Sequence, residues 1–429
     1  KTIQVIPHVV DEIKERIYAA TEDNDFLIIE LGGTVGDIEG LPFMEAIRSI
    51  RHELPKTNTM NIHLSLVPYI KAAGELKTKP TQHSVQELRR IGITPHMLVC
   101  RTERELPKAL KDKLALACDI DRNAVIEAGD AQSIYQVPLQ FIKEGILTPL
   151  SEHFNIKIKP NMEKWDTLVK NILLPQGEVT IAFVGKYLDL KESYKSLIEA
   201  LIHAGAHLST KVNIHWCDSE RIEDVGAYDI IGNSDAILVA GGFGQRGVNG
   251  KLAAIKYARE NKIPYLGICL GMQLAIIEFA KNVLGLEDAN SIEFDPNTKN
   301  PLIYLIDEFI DQSGNKQIRT HESPMGGTMR LGEYPFEPLK GTHLQKAYGN
   351  NEIYYERHRH RYEANPKYKQ VLEDAGMIIS GQSDGLIEAI ELKDHPWFVG
   401  VQFHPEFTSH LETPNPIILE FVRQATKNK

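Results

Sequence analysis

A repeated order of apolar segment, glycine turn and amphipathic helix constrains the fold of this chain more than any other feature. The rear half shows it in "VTIAFVGKY", "DAILVAGGFG", "IPYLGICLGMQ" and "WFVGVQFHPEF". The front half alternates apolar segments, "DFLIIEL", "MNIHLSLVPYI" and "PHMLVCRT", with helical ones such as "PTQHSVQELRRIG". Alternation of short strands and helices is typical of domains built on a parallel sheet. We therefore predict an α/β fold with two parallel-sheet domains.

The alternation weakens between the two series. Pro160, Pro175 and Gly177 interrupt the pattern there, around one helical segment, and such residues are typical of linkers. We predict a front domain over residues 1–155, a linker over 156–177 and a rear domain over 178–429.

Composition excludes several classes of protein. No apolar run is long enough to cross a bilayer, and the first residues lack the plan of a signal peptide, so we predict a cytoplasmic protein without a membrane partner. The four cysteines are isolated and form no CxxC, which argues against disulfides and thiolate zinc sites. The net charge of -10 argues against general affinity for nucleic acid and favours small polar substrates.

Cys269 lies between an apolar strand and an apolar helix. The spacing Gly267-x-Cys269-x-Gly271 is that of a nucleophile elbow with cysteine in place of serine. A helix amino terminus also favours the thiolate. A buried core thiol in a strand-to-helix corner explains the same motif equally well.

His404 and Glu406 supply a base and its orienting group. Both follow an apolar strand, and in extended backbone residues two apart point the same way, so Glu406 could orient the imidazole toward the thiol. With Cys269 they form a predicted triad. The predicted oxyanion hole combines the N–H of Leu270 with that of Gly242 in "AGGFG". Taken singly, His404 also fits a turn histidine, and "AGGFG" an ordinary βα turn.

Several motifs resemble known families. "GICLGMQ", "AGGFG" and "FHPE" resemble class I glutamine amidotransferase domains, and "GGTMRLG", "ERHRHRYE", "IELGGTVGDIE" and "KTKPTQHSV" resemble the CTP synthase family over nearly the whole chain. The resemblance implies a P-loop-type amidoligase domain followed by an amidotransferase domain. It implies a ligase of de novo pyrimidine biosynthesis that phosphorylates UTP with ATP, releases ammonia from L-glutamine and displaces phosphate to give CTP. It further implies GTP activation, CTP feedback inhibition and a homotetramer.

For the front domain, the resemblance implies nucleotide and metal sites. Glu30 ends a predicted apolar strand, where α/β sheets bind ligands, and is implied to hold Mg²⁺. Without the resemblance, the lysines of "KTKPTQ" would be interpreted as solvated surface charge. The implied UTP and CTP contacts are Asp37, Ile38, Glu39, Lys77, Thr78, Lys79, Pro80, Thr81, Gln82 and Lys113, and the implied ATP contacts are Gly129, Asp130 and Ala131.

For the rear domain, the resemblance implies glutamine recognition and a lid. Glu293 suits the substrate ammonium and Arg359 its carboxylate. The alternation in "RHRHR" predicts arginines on one face of a strand and histidines on the other. The implied glutamine contacts are Gly242, Leu270, Gly271, Met272, Gln273, Glu293 and Arg359, and the implied GTP lid includes Arg319, Gly326 and Gly327.

One expected element is absent. The family opens with a glycine-rich phosphate loop carrying a lysine, and this sequence contains no G-x-x-x-x-G-K-[ST]. If these residues were the whole molecule, we would expect only a glutaminase; the abrupt start favours a fragment of a longer synthase. A noncatalytic subunit is a further alternative, but Cys269, His404 and Glu406 are all present.

Overall fold

The computed structural model describes residues 2–21, 24–186, 192–305, 308–310, 316–318, 329–350 and 352–429. The chain divides into two compact units, Lys1–Glu163 and Lys164–Lys429. This division falls within the predicted linker, and the predicted functional domain bounds stay a prediction. In the part of the chain that the structure describes, no helix is both long and apolar enough to cross a membrane.

The first unit is built on a small parallel sheet. Its strands are β1 (Ile62–Leu66), β2 (Tyr69–Ile70), β3 (Glu75–Leu76), β4 (Met97–Arg101) and β5 (Val125–Ala128). Strands β1, β4 and β5 pair in parallel in that order, and β2 and β3 form an antiparallel pair. The helices are α1 (Val10–Ala19), α2 (Leu41–Glu53), α3 (Lys79–Arg90), α4 (Lys108–Cys118), α5 (Val137–Lys143) and α6 (Leu147–Phe154).

The central strand β4 lies in the middle of the hydrophobic core of this unit. Its residues Leu98 and Cys100 are fully buried and pack with Val85 of α3 and Leu114 of α4. A strand covered on both faces reads as a continuous apolar run, because both sets of alternate side chains meet helices. This is why "MLVC" was recognisable as a strand from sequence.

The prediction that "DFLIIEL" forms a strand is wrong. Residues 25–31 adopt neither helix nor strand, and Ile28 is 93% exposed. A strand is held by main-chain hydrogen bonds to a neighbour, and none of the described residues pairs with this segment. Apolar composition does not by itself provide that neighbour, so Glu30 does not lie at the end of a strand.

The second unit contains the remaining elements. The strands are β6 (Gly177–Gly185), β7 (Thr210–Asp218), β8 (Ala236–Val239), β9 (Tyr265–Ile268), β10 (Ala289–Ser291), β11 (Asn300–Leu305), β12 (Glu308–Ile310), β13 (Lys316–Ile318), β14 (Arg330–Pro338), β15 (Tyr354–His360), β16 (Tyr362–Ala364), β17 (Met377–Ser383), β18 (Leu386–Leu392) and β19 (Phe398–Val401). The helices are α7 (Glu163–Leu173), α8 (Lys195–His207), α9 (Ser219–Val225), α10 (Ala227–Ile231), α11 (Val248–Glu260), α12 (Leu270–Asn282), α13 (His343–Tyr348), α14 (Lys369–Asp374) and α15 (Pro416–Asn428).

A nine-stranded sheet in the order β15-β14-β17-β18-β19-β9-β8-β6-β7 forms the centre of this unit. The part from β19 to β7 is parallel, and the part from β15 to β19 is antiparallel. Along β8, Ile237 and Val239 pack in one core with α11 and α12, whereas Leu238 packs in the other with α8 and α15. The carboxyl ends of β6, β8, β9 and β19 therefore meet at one edge, where α/β sheets bind ligands.

Candidate active site

Cys269 occupies a strained turn between β9 and α12. Its backbone has φ 53° and ψ -105°, a region that non-glycine residues rarely adopt and that costs free energy unless neighbours impose it. The Cys269 N–H donates to the Val401 carbonyl at 2.7 Å, which ties the turn to β19. The side chain stands at the helix amino terminus, as a nucleophile elbow requires.

The two glycines of the motif are required by close main-chain packing. A β-carbon on Gly271 would lie 2.3 Å from the Val239 carbonyl oxygen, and one on Gly267 would lie 2.5 Å from the Tyr265 hydroxyl oxygen. The Tyr265 hydroxyl donates to the Gly271 carbonyl at 3.0 Å. No larger residue fits at either position without moving β8, β9 or the start of α12.

His404 and Glu406 lie beside Cys269. His404 Nδ1 and Glu406 Oε1 are 2.8 Å apart. Gly241 shows how close His404 and Cys269 are, since a β-carbon there would lie 3.2 Å from His404 Cε1 and 3.5 Å from Cys269 Cβ. The expected contact is therefore present, but not through extended backbone: Glu406 belongs to a 3₁₀ turn, Pro405–Phe407, for which His404 is the amino-terminal cap.

The electrostatics of the trio favour a charged His404 imidazole. Burial alone would lower the pKa of His404, but the Glu406 carboxylate and the Cys269 thiol group raise it to about 10. An imidazolium at neutral pH stabilises a neighbouring thiolate and can later donate a proton to a leaving group.

Two lysines that the sequence analysis did not single out contact the glycine turn after β8. The Lys251 ammonium donates to the Ala240 carbonyl at 2.9 Å, and the Lys186 ammonium donates to the Phe243 carbonyl. A β-carbon on Gly242 would lie 3.5 Å from Lys186 Cε and 3.6 Å from Lys251 Nζ. The turn predicted to form the oxyanion hole is thus flanked by two cations.

A cavity of about 370 Å³ opens over Cys269. Its size lies within the range of small-ligand sites. Among the residues that line it are Gly242, Cys269, Arg359, His404 and Glu406. Arg359 projects from the exposed face of β15, whereas His358 and His360 are buried, so the predicted alternation is confirmed for residues 357–360; Arg361 lies beyond the end of the strand.

A chain of amide groups leads from α12 to the sulfur. The Gln273 side-chain amide donates to the Tyr362 carbonyl at 2.7 Å and to Gln402 Oε1 at 3.0 Å. The Gln402 amide in turn donates to Cys269 Sγ at 3.7 Å. Gln273 was predicted to bind substrate, whereas Gln402 was missed although it precedes "FHPE" by one residue.

Glu293 and the first turn of α12 complete the predicted glutamine contacts. Glu293 Oε1 accepts from the Gly244 N–H at 2.9 Å, and burial raises the pKa of this carboxyl. Glu293 therefore contacts the turn that contains Gly242. Leu270, Gly271 and Met272 are buried at the start of α12.

A second carboxyl group, Glu356, lies behind the trio and was not predicted. It accepts hydrogen bonds from Tyr348 at 2.6 Å, Thr408 at 2.8 Å and Asn415 at 2.6 Å. Burial raises its pKa to about 7; these hydrogen bonds oppose the rise and the Glu406 charge adds to it. The pKa of Glu356 thus lies near neutral pH, and its carboxyl group interacts electrostatically with Glu406.

The predicted metal and ribose loop of the first unit is exposed. A β-carbon on Gly32 would lie 3.6 Å from Glu30 Oε1, and Asp37 Oδ2 accepts from the Thr34 N–H at 3.2 Å. Ile38 and Glu39 follow in a 3₁₀ turn, Ile38–Gly40. Within the described ranges, no group of three or more His, Cys, Asp or Glu side chains is placed to hold a metal ion.

The predicted UTP segment, residues 77–82, leads into α3: Lys77 and Thr78 precede the helix, Thr78 is its amino-terminal cap, and Lys79 is its first residue. Lys77 pairs with Glu75 at 2.5 Å. The pKa of Glu75 is lowered mainly by Lys77 and to a smaller extent by the charge of Lys113. Both lysines therefore act electrostatically on the same carboxylate. Thr78, Thr81 and Gln82 are buried, while Lys79 and Pro80 are exposed in the first turn.

The remaining predicted contacts fall in two places. In the turn after β5, Asp130 pairs with Arg101 at 2.5 Å, and Gly129 and Ala131 flank it. The predicted lid residues Arg319, Gly326 and Gly327 lie outside the described residues.

Comparison with known proteins assigns both halves of the chain. The family model described as CTP synthase N-terminus matches residues 1–156, and the model described as glutamine amidotransferase class-I matches residues 189–424. The CTP synthase of Sulfurimonas denitrificans is 65% identical over 423 residues, covering 98% of this chain and 78% of that protein. The chain belongs to the CTP synthase family. The CTP synthase of Wolinella succinogenes is 66% identical over 430 residues, covering 100% of this chain and 78% of the relative.

Membership in the CTP synthase family confirms the main predictions. The chain is a glutamine-hydrolysing ligase of pyrimidine biosynthesis that aminates UTP to CTP, with UTP, ATP and glutamine as substrates. A glutaminase alone is not favoured, because both the synthase and the amidotransferase models match. The α/β fold is confirmed as well.

A solved structure resembles the second unit. It is the Trypanosoma brucei CTPS glutaminase domain with bound acivicin, with a TM-score of 0.53 and 39% sequence identity; the match covers 58% of this chain and 95% of that one.

Proposed function

We propose that Cys269, His404 and Glu406 release ammonia from glutamine for the amination of UTP. The observation that carries this proposal is their arrangement at one cavity. The sulfur stands on a strained strand-to-helix turn, and His404 beside it is held by Glu406 at 2.8 Å. A buried core thiol would explain neither the backbone strain nor a cavity lined by the same three residues.

The proposed chemistry proceeds through a thioester. The Cys269 thiolate attacks the side-chain carbonyl carbon of glutamine, and the carbonyl oxygen takes up negative charge opposite the N–H groups of Leu270 and Gly242. The His404 imidazolium donates its proton to the leaving nitrogen as the C–N bond breaks, releasing ammonia. His404 then takes a proton from water, which attacks the thioester and releases glutamate and the thiol.

Recognition of glutamine is proposed for groups around the same cavity. Arg359 at the cavity wall suits the substrate carboxylate, and Glu293, which accepts a hydrogen bond from the glycine turn, suits the substrate ammonium. Gln273 supports the site through its amide chain to Cys269. Leu270, Gly271 and Met272 shape the turn beneath the substrate.

The nucleotide sites are proposed for the first unit. Residues 77–82 with Lys113 would bind UTP phosphates, because a helix amino terminus and ammonium groups both favour anions. Asp37, Ile38 and Glu39 would contact the UTP or CTP ribose and base, and Gly129, Asp130 and Ala131 would contact ATP. Glu30 fits Mg²⁺, since this ion commonly takes one or two carboxylates and completes its shell with water and phosphate oxygens. When bound, Mg²⁺ would neutralise charge on the transferred phosphoryl group.

Regulation, assembly and location belong to the same proposal. GTP would activate glutamine hydrolysis through the lid that includes Arg319, Gly326 and Gly327, and CTP would inhibit at the UTP segment. We propose a homotetramer in the cytoplasm, where the substrates are made and used. The bounds 1–155, 156–177 and 178–429 are proposed for the synthase domain, linker and amidotransferase domain.

The experiment compares Cys269→Ala with Cys217→Ala, a matched removal of another buried thiol of the same unit. We would measure glutamine hydrolysis with and without GTP, and CTP formation from either glutamine or an ammonium salt. Cys269→Ala should abolish both glutamine-dependent reactions and spare the reaction with ammonium, whereas Cys217→Ala should retain all of them. Glutamine hydrolysis by Cys269→Ala at the unsubstituted rate would refute the proposal.

A further inference from the structure

Lys251 is a buried cation that the proposed function does not use. It lies on α11 with 1% of its surface exposed, and position 251 continues the apolar stripe of Ala254, Ile255 and Ala258. Among the described residues, its ammonium donates one hydrogen bond, to the Ala240 carbonyl at 2.9 Å. A lysine at a core position thus points at the turn beside the nucleophile.

Packing alone does not account for this residue. Burying an ammonium carries a large desolvation cost, and an apolar side chain of similar length would fill the space without it. Burial lowers the pKa of Lys251 to about 7, with a further lowering from Lys186 and an opposing effect of Cys269. The charge therefore interacts with the nucleophile, and a substantial fraction is retained at neutral pH.

The hydrogen bond also fixes the geometry of the glycine turn. In a trans peptide the C=O and the next N–H point in opposite directions, so holding the Ala240 oxygen fixes the plane of the Ala240–Gly241 peptide, from which the chain continues directly to Gly242, the proposed N–H donor. The turn contains two successive glycines, Gly241 and Gly242, which have unusual conformational freedom. Lys186 holds the Phe243 carbonyl at the other end. Both ends of a flexible segment are thereby restrained.

We propose that Lys251 is a positioning residue for glutamine hydrolysis. Its ammonium holds residues 240–242 in the conformation that presents main-chain N–H groups to the reacting carbonyl oxygen. Its charge also stabilises the negative charge carried by Cys269 and then by that oxygen. This inference rests on the proposed function of Cys269.

The test compares Lys251→Met with Lys256→Met, the same substitution at an exposed position of the same helix. Methionine keeps most of the length of lysine and removes the charge, so the variant should fold, with an unchanged or higher melting temperature. Three assays would be made. Steady-state kinetics would give kcat and KM for glutamine hydrolysis, peptide mass spectrometry would follow the alkylation of Cys269 by iodoacetamide as a function of pH, and thermal unfolding would give the melting temperature.

We expect Lys251→Met to lower kcat by about tenfold or more while KM changes by less than about threefold, because the lost interaction forms with the reacting groups. We also expect half-maximal alkylation of Cys269 to move up by about one pH unit, since the thiolate loses a neighbouring cation. Lys256→Met should match the unsubstituted chain in every measurement.

An unchanged kcat in Lys251→Met would overturn the inference. So would a lower kcat with an unchanged alkylation profile and a reduced melting temperature, because that combination indicates a packing role alone. If the unsubstituted chain hydrolysed no glutamine, the proposed function would fail; the alkylation profile would still decide whether Lys251 acts on Cys269.

Discussion

Replacing Gly271 with alanine should separate the geometry of the elbow from the stability of the fold. The added β-carbon would lie 2.3 Å from the Val239 carbonyl oxygen and 3.2 Å from its carbonyl carbon, whereas ordinary contact begins at 3.4 Å. Both partners are main chain and cannot rotate away. The start of α12 must therefore move away from β8 by roughly 1 Å, which carries Leu270 and Cys269 with it.

Two effects of different size follow. Overpacking of this kind costs about 1–3 kcal/mol of unfolding free energy. Misplacing a nucleophile by about 1 Å lowers the rate by about 100-fold. Catalysis should thus be lost well before the fold is.

Gly205→Ala is the matched control. A β-carbon there would lie 2.5 Å from the Thr210 carbonyl oxygen, a similar clash, but Gly205 does not line the cavity. Both variants should melt at lower temperature, and only Gly271→Ala should lose glutamine hydrolysis per folded molecule. Full activity of folded Gly271→Ala, or an equal loss in Gly205→Ala, would show that the elbow packing does not set the position of the thiol.

Two further substitutions address the carboxyl groups. The Glu406 carboxylate helps to hold the pKa of His404 at about 10, so Glu406→Gln should lower that pKa. The alkaline limb of the pH profile of glutamine hydrolysis should then move to lower pH, and kcat should drop at least about tenfold. The exposed control Glu412→Gln should change neither quantity, and an alkaline limb that does not move in Glu406→Gln would contradict the role of Glu406 as the orienting group. Folding raises the pKa of Glu356 from 4.5 to about 7. The protonated carboxyl group therefore contributes to the free energy of unfolding in full below pH 4.5, and this contribution, up to about 3 kcal/mol, is lost as the pH rises through about 7. Glu356→Gln should flatten that fall in urea unfolding, and an unaltered pH dependence would exclude Glu356 as its source.

The sequence predicted those parts of the fold and site that depend on local pattern. Continuous apolar runs identified β6, β8, β9 and β19, because both faces of a parallel sheet are covered. The spacing around Cys269 identified the elbow, because only glycine fits at 267 and 271. The expected contact of His404 with Glu406 is present, although a 3₁₀ turn produces it rather than extended backbone.

The parts that escaped prediction depend on tertiary partners. "DFLIIEL" has strand composition but no neighbouring strand among the described residues. Lys251 looks like a surface charge in "NGKLAAIKYARE", and only its spacing of three, four and seven residues from Ala254, Ile255 and Ala258 indicates a core position. Glu356 lies in a run of charged residues, so its burial became visible only with Tyr348, Thr408 and Asn415 around it.

The parallel part of the large sheet has a consequence for how the active site is held together. Strands β6, β8, β9 and β19 are neighbours in that spatial order. The residues that directly follow their ends are, in the same order, Lys186, Ala240, Cys269 and Gln402. Adjacent strands lie about 4.8 Å apart, so main-chain hydrogen bonding, rather than the helices that connect the strands, sets the distances between Cys269, the glycine turn and the segment that carries His404. The connections only carry the chain from one strand to the next. A circular permutant opened within one of them would keep the reacting atoms at their present separation as long as the same ladder of strands forms.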